Sequence, residues 1–169
     1  MTAPVLTLTR LRKEFGGTRA LAHASVDLYP GEVTALIGEN GAGKSTLVKV
    51  LAGFHQPDAG EIRLDGRSVR FDSPAAARAC GISVIHQESV LFDNLSVAEN
   101  LLIDARPTRR GLISWGEMRR RAQLLLEPLE ANFDPDQPVG ELSIAQKHLV
   151  QIARGLSHAA RIMVMDEPT

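Results

Sequence analysis

The sequence is short of cysteine, of net charge and of long hydrophobic runs, and each shortage excludes a class of protein. The single cysteine, Cys80, cannot form an internal disulfide and is most simply a packing residue in a reducing compartment. A formal net charge of −1 argues against a nucleic-acid-binding surface. No apolar run is long enough to span a membrane, and the N-terminus lacks the hydrophobic segment of a signal peptide. We therefore expect a cytoplasmic protein without a nucleic-acid partner.

The first half of the chain has the pattern of a mixed α/β domain without internal repeats. Its 169 residues suit one domain with a substantial core. Asp65-Gly66 lies between two alternating segments and predicts a tight hairpin. Ser73-Pro74 has the form of an N-cap followed by proline in the first helical position, and Gly81 would end that short helix. Alternating or apolar runs predict further strands at residues 5–9, 24–28 and 82–85.

The second half has the pattern of helices. Three serines are each followed, three residues later, by Glu or Gln, which is the spacing of a capping box. These pairs are Ser96 and Glu99, Ser114 and Glu117, and Ser143 and Gln146. They predict three helices between residues 96 and 157, and we expect residues 88–157 to be a helical insertion between two strands of one parallel sheet.

A glycine-rich segment between an apolar run and a helical pattern is the first candidate site. Residues 33–37, "VTALI", predict a strand that is buried on both faces, and apolar residues recur at helical spacing from Lys44 to a stop at Gly53. The segment between them fits the spacing G-x-x-x-x-G-K-[ST] of a phosphate-binding loop. It consists of Gly38, Glu39, Asn40, Gly41, Ala42, Gly43, Lys44 and Ser45.

Each residue type in this loop suits a nucleoside triphosphate. Glycines allow the backbone to wrap a phosphate, and successive N–H groups at a helix start bind anions. Lys44 would place a positive charge at the β- and γ-phosphates, and the Ser45 hydroxyl would bind Mg²⁺. The alternative is a glycine-rich turn that happens to contain a lysine, but a chance match is rare in a chain of this length.

The last apolar run supplies a second candidate site. Residues 161–165, "RIMVM", predict a strand that is followed by Asp166 and Glu167. At the carboxyl edge of a parallel sheet, Asp166 would meet the phosphate loop and bind Mg²⁺, and Glu167 would orient or deprotonate the attacking water. Polar residues often follow strands, so this pattern is weak alone and gains weight from the phosphate loop that precedes it in the chain.

Four motifs, in this order, resemble the nucleotide-binding domain of ABC transporters over nearly the whole chain. They are "GENGAGKST" at 38–46, "IHQES" at 85–89, "ELSIAQKHLVQIARGLS" at 141–157 and "RIMVMDEPT" at 161–169. The segments "VIHQE", "LSVAENLL" and "LSIAQ" are most similar to the first cassette of tandem-cassette importers of ribose, galactose, xylose and related monosaccharides. The resemblance implies one ATP-binding domain over residues 1–169, with a P-loop core, a mostly parallel sheet, an antiparallel β portion and the helical insertion.

The resemblance also assigns roles to individual residues. Phe15 matches the aromatic residue that stacks on adenine, although an aromatic in a strand is more often core. Thr46 completes the phosphate loop, and Gln87 matches the glutamine that contacts Mg²⁺ and the attacking water.

The signature motif L-S-G-G-Q corresponds to residues 142–146, where Ser143, Ala145 and Gln146 would face the γ-phosphate of a second cassette. Two residues depart from the motif, because Ile144 and Ala145 replace its glycines. We expect phosphate contact to survive there only if the backbone is helical.

The implied function is ATP hydrolysis coupled to sugar import at the cytoplasmic face of the cell membrane. ATP and Mg²⁺ would be the cofactors, and the partners would be transmembrane permease subunits, a second ABC cassette and, indirectly, a sugar-binding protein outside the membrane. Family members continue past the acidic strand with a subunit-pairing loop and a histidine, whereas Thr169 is the last residue here. We therefore expect the chain to bind Mg-ATP and to hydrolyse it poorly by itself.

Two other classes of function have a phosphate loop. A soluble P-loop kinase is not expected to carry the Gln87 and Ser143 segments in this order, and a GTPase would have an N-K-x-D motif, which is absent. A non-transport ABC ATPase acting in translation or DNA repair would show long arms or a basic stripe, and the near-neutral sequence shows neither.

Overall fold

The computed structural model describes residues 2–85, 91–157 and 160–165, which divide into two compact units, Met1–Ile82 and Ser83–Thr169. The first unit contains four strands and two helices. They are β1 (Leu6–Phe15), β2 (Thr18–Leu28), α1 (Lys44–Leu51), β3 (Ala59–Leu64), β4 (Arg67–Val69) and α2 (Pro74–Ala79).

The four strands of the first unit form one antiparallel sheet in the order β2-β1-β3-β4. Leu6, Leu8 and Leu11 of β1 are buried, as are Ile62 and Leu64 of β3. These side chains supply the apolar face that a sheet needs in order to pack. The strands predicted at residues 5–9 and 24–28 are confirmed as parts of β1 and β2, and the antiparallel β portion is confirmed with them.

Two local predictions in this unit are confirmed in detail. Asp65 and Gly66 connect β3 to β4 with φ angles of 50° and 75°, as a hairpin turn with two left-handed residues requires. Ser73 caps α2, because its Oγ accepts a hydrogen bond from the amide of Ala76 at 3.2 Å, and Pro74 occupies the first helical position.

The second unit is a helical cluster with short strands. Its elements are β5 (Ile82–Ile85), which begins at the boundary, α3 (Val97–Leu101), β6 (Thr108–Arg109), β7 (Leu112–Ile113), α4 (Trp115–Leu126), α5 (Ile144–Leu156) and β8 (Ile162–Met165). Short 3₁₀ turns lie at Glu127–Leu129 and Val139–Glu141. The strands predicted at residues 82–85 and 161–165 are confirmed as β5 and β8, which are hydrogen-bonded neighbours.

The core of the second unit lies among α3, α4 and α5. Val97, Met118, Ala122 and Val150 are almost completely buried there. The capping-box spacing predicted three helices between residues 96 and 157, and this prediction is confirmed. The limits of the helical insertion, residues 88–157, stay a prediction. Among the described residues, no helix is both long and apolar enough to cross a membrane.

Two predictions were wrong. The segment predicted as a buried strand, residues 33–37, has no regular secondary structure, and Val33 and Ile37 are 100% and 94% exposed. A strand buried on both faces needs hydrogen-bonded neighbours, and this segment belongs to none of the described sheets. The capping box predicted at Ser114 does not form, because its hydroxyl makes no cap hydrogen bond and Glu117 pairs instead with Arg120 and Arg121.

Candidate functional site

The phosphate loop ends at Gly43, the N-cap of α1. Gly43 has φ 91°, which favours glycine. A Cβ at this position would overlap the carbonyl oxygen of Ala20 and lie 2.9 Å from Leu21 Cδ2. The position therefore needs glycine both for its backbone conformation and for its close approach to β2, and this approach fixes the end of the loop against the sheet.

The middle of the loop is a tight turn. The amide of Ala42 donates to the carbonyl oxygen of Glu39 at 3.1 Å, and Gly41 between them has φ 86°. A Cβ on Gly38 would lie 3.1 Å from the Cβ of Ala42, so the loop curves back on its own start. Asn40 is exposed on this turn. The curved backbone is the form that a phosphate-binding loop requires.

Lys44 places its charge at the start of the same loop. Its Nζ donates to the carbonyl oxygens of Gly38 at 2.7 Å and Glu39 at 2.9 Å. The side chain therefore folds over the loop that precedes it in sequence. The ammonium group and the N-terminus of α1 both carry positive charge and both border residues 38–43.

The first turn of α1 has the chemistry of an anion site. Gly43 has no side chain that could cap the helix, and the first turn of α1 contains no acidic residue. The first four N–H groups of a helix have no partner within it, so they are donors for an anion. Ser45 is exposed and Thr46 is half-buried. The donor set of this loop, which combines backbone N–H groups, an ammonium and hydroxyls, fits the phosphates of a nucleotide.

Phe15 lies at the end of β1 and is 42% exposed, so its position differs from that of a core aromatic. Its ring contacts the ring of His55 edge-on, with centroids 5.0 Å apart, and the Nζ of Lys13 lies 5.3 Å from its centroid. An exposed aromatic ring is a suitable surface for stacking by a nucleobase. Its role as the adenine contact stays a prediction.

The signature segment forms the N-terminus of α5 in the second unit. Ser143 and Gln146 make the predicted capping box: the Ser143 amide donates to Gln146 Oε1 at 2.9 Å, and the Gln146 amide donates to Ser143 Oγ at 3.3 Å. Ile144 and Ala145 are exposed in the first helical turn. Their backbone is helical, which meets the condition set for phosphate contact without the two glycines of the motif.

Three predicted site residues lie outside the described part of the chain. These are Gln87, Asp166 and Glu167. Gln87 follows the end of β5 at Ile85 by two residues, and Asp166 directly follows β8. Within the described ranges, no group of three or more His, Cys, Asp or Glu side chains could hold a metal ion. Of the three predicted Mg²⁺ ligands, Ser45 alone lies within the described residues.

Two residues contact Phe15 or the residues that precede it in β1, and neither was predicted as a site residue. His55 packs on the Phe15 ring, and Asp58 binds Lys13 and the amide of Glu14. The only local signal in the sequence was Pro57-Asp58 before the alternating residues 59–64, and such a pair ordinarily indicates a turn. Their contacts depend on the pairing of distant segments.

A comparison with models of protein families shows which family the chain belongs to. The model described as "ABC transporter" matches residues 21–169. The chain belongs to the ABC transporter family. The match confirms the resemblance that the four sequence motifs indicated. Members of this family bind ATP.

The curated relatives are sugar-import proteins. The chain is 54% identical over 167 residues to a ribose import ATP-binding protein of Agrobacterium fabrum, covering 98% of the chain and 33% of the relative. It is 56% identical over 167 residues to a ribose import ATP-binding protein of Jannaschia sp., covering 98% of the chain and 32% of the relative. The chain thus spans about a third of the length of these relatives.

Solved structures confirm the α/β P-loop fold class. MJ1267, an ATP-binding cassette of an ABC transporter solved in its ADP conformation, superposes with a TM-score of 0.87 at 33% identity, covering 99% of this chain and 70% of that one. A nucleotide-free ATP-binding cassette from an ABC transporter gives a TM-score of 0.85 at 30% identity, covering 98% of this chain and 70% of that one.

Proposed function

We propose that the chain is the ATP-binding part of a monosaccharide importer, in which binding and hydrolysis of ATP drive transport. The observation that carries this proposal is the loop at residues 38–45, which curves under the Lys44 ammonium at the N-terminus of α1. Relatives named as ribose import ATP-binding proteins support the sugar class. Ribose is one member of that class.

The loop residues would divide the work of holding the triphosphate. The backbone N–H groups of residues 39–46 bind the phosphate oxygens, and Lys44 exchanges its contacts with Gly38 and Glu39 for the β- and γ-phosphates. Mg²⁺, when bound by Ser45, Gln87 and Asp166, supplies charge neutralisation at the phosphates. Glu167 orients or deprotonates the attacking water.

The signature helix would act on a second cassette. Ser143 caps α5, and Ile144 and Ala145 begin it with helical backbone, so the N–H groups of this first turn would be donors for the γ-phosphate bound by the partner cassette. Cassette closure would move the transmembrane permease subunits, which the helical insertion at residues 88–157 contacts at the cytoplasmic face of the membrane. A sugar-binding protein outside the membrane would deliver the substrate to those subunits.

Calorimetric titration with Mg-ATP tests the proposal. Lys44→Ala removes the ammonium from the loop and is expected to abolish most ATP binding. Lys49→Ala is the matched control, because Lys49 is an exposed lysine on the same helix and lies outside the loop. Equal ATP affinity in the wild-type chain and in Lys44→Ala would overturn the proposed site.

A further inference from the structure

Asp58 joins the segment before β3 to the end of β1. Its Oδ1 accepts from Lys13 Nζ at 2.7 Å, and its Oδ2 accepts from the amide of Glu14 at 2.7 Å. Its own amide donates to the carbonyl oxygen of Arg12 at 2.8 Å. Three consecutive residues of β1 are therefore bound by one aspartate, and the next residue in the chain is Phe15.

The Asp58 side chain takes the place of a paired strand at the end of β1, because β3 does not extend that far. β1 continues to Phe15, whereas β3 begins at Ala59 opposite Arg12. The last residues of β1 therefore extend beyond the end of the β3 ladder. The Asp58 carboxylate accepts the Glu14 N–H on that side, where a strand carbonyl would otherwise be needed. Hydrogen bonding from Lys13 also lowers the pKa of Asp58, so the group is a carboxylate at neutral pH.

The segment that carries Asp58 also contacts the Phe15 ring. His55 packs against Phe15 with ring centroids 5.0 Å apart. The amides of Phe54 and His55 both bond to the carbonyl oxygen of Lys49 in α1, at 2.9 and 3.3 Å. Residues 54–58 therefore connect the helix that begins at the phosphate loop to the strand that ends at Phe15.

A second connection links Phe15 to the loop through β2. Phe15 pairs with Thr18 in the β1–β2 ladder. Ala20, two residues further along β2 and so roughly 7 Å away along the strand, is in close approach to Gly43. Neighbouring segments therefore connect the strand end that carries Phe15 to the start and to the end of α1.

We propose that Asp58 is a positioning residue for the nucleobase: it holds residues 12–14 of β1 so that Phe15, supported by His55, presents its ring to the adenine of the bound nucleotide. This inference rests on the proposed function, because it assumes that the phosphates of the same nucleotide bind at residues 38–45. It assigns to Asp58 an effect on base binding that leaves phosphate binding unchanged.

Two titrants separate base binding from phosphate binding. ATP probes both contacts, whereas inorganic triphosphate probes the loop alone. Since stacking of a base on an aromatic side chain contributes an affinity change of about tenfold or more, Phe15→Ala is expected to weaken ATP binding by about that factor. Asp58→Ala is expected to weaken ATP binding by several-fold, and neither variant is expected to change triphosphate affinity.

The double variant tests whether Asp58 acts through Phe15. In the Phe15→Ala background, Asp58→Ala is expected to cause no further loss of ATP affinity, because the ring that it positions is gone. Additive losses, an equal loss of triphosphate affinity, or unchanged ATP affinity in Asp58→Ala would each overturn the inference. Faster hydrogen exchange at the Glu14 amide in Asp58→Ala is the expected sign that the strand end has been released.

Two further variants keep the test decisive. Asp58→Asn retains the shape and an acceptor for the Glu14 amide, so it is expected to fold and to lose a smaller part of the same ATP-specific affinity. Asp136→Ala is the matched control, because Asp136 forms an exposed ion pair with Arg119 in the second unit and belongs neither to β1 nor to residues 54–58. Triphosphate binding that is insensitive to Lys44→Ala would refute the proposed function itself, whatever the Asp58 variants show.

Discussion

The ammonium of Lys44 lies 2.7 Å from the carbonyl oxygen of Gly38, so the first residue of α1 contacts the start of the phosphate loop. Six residues of backbone curve beneath this contact, and the N-terminus of α1 lies beside it. The arrangement places the lysine charge beside the positive N-terminus of α1. This chemistry suits phosphate binding independently of the family match.

Gly43→Ala is expected to destabilise the chain more than Gly41→Ala. Both glycines have positive φ, so each alanine costs about 1 kcal/mol or more in backbone strain, but only the Gly43 variant also overlaps the carbonyl of Ala20. The midpoint of urea unfolding measures the difference. Equal losses in the two variants would show that the close approach to β2 has no energetic consequence.

Ser96→Ala and Ser114→Ala are expected to differ although the two serines have the same sequence pattern. Ser96 makes a complete capping box with Glu99, so its removal is expected to cost about 1 kcal/mol, whereas Ser114 makes no cap hydrogen bond. Chemical denaturation of the two variants provides the comparison. A loss at Ser114 as large as that at Ser96 would contradict the observed caps.

Asn100→Ala is expected to be among the most damaging changes in the second unit. Asn100 is completely buried, accepts a hydrogen bond from the Phe92 amide and donates to the carbonyl oxygens of Phe92, Leu95 and Ser96. Alanine would remove the acceptor of the Phe92 amide and three hydrogen bonds to carbonyl oxygens that keep their backbone donors, at a cost of about 1–3 kcal/mol. Thermal unfolding measures this loss. A variant as stable as wild type would refute the structural role of the amide.

Glu117 is expected to titrate well below an ordinary glutamate. Hydrogen bonds from Arg120, and then from Arg121, lower the pKa of Glu117 from 4.5 to about 2. Because the folded-state pKa is below the unfolded one, the stabilisation is present above about pH 4.5 and is lost as the pH falls towards 2. Carboxyl NMR measures the titration directly.

Arg120→Ala is the variant that checks the cause of this shift, since it removes the largest contribution and is expected to move the Glu117 pKa back towards 4.5. Arg119→Ala is its control, because Arg119 pairs with Asp134 and Asp136 instead. A wild-type Glu117 that titrates near 4.5 would contradict the observed ion pairs.

Local chemistry explains which elements could be predicted from the sequence. The Asp65-Gly66 turn, the Ser73-Pro74 cap and the Ser143 box depend on residues within a few positions of one another, and all three form. The box at Ser114 failed although its spacing was correct, because Glu117 has two arginines on the next helical turn and binds them instead. Sequence spacing identifies possible partners but does not rank them.

Contacts between distant segments explain the rest. The apolar run at residues 33–37 has strand propensity, but no described strand pairs with it. Asp58 was missed because its partners, Lys13 and the Glu14 amide, lie more than forty positions away in the chain. The phosphate-loop motif could be read from the sequence because its residues are contiguous, whereas the contacts around Phe15 need the folded sheet.

Amide NMR of the isotope-labelled chain during addition of Mg-ATP tests the proposed nucleotide site most directly. The expected result is that the largest shifts occur at the amides of residues 39–46, and that Lys44→Ala removes them while Lys49→Ala does not. The contradictory result is a set of shifts centred elsewhere in the chain, or shifts at residues 39–46 that persist unchanged without the Lys44 ammonium.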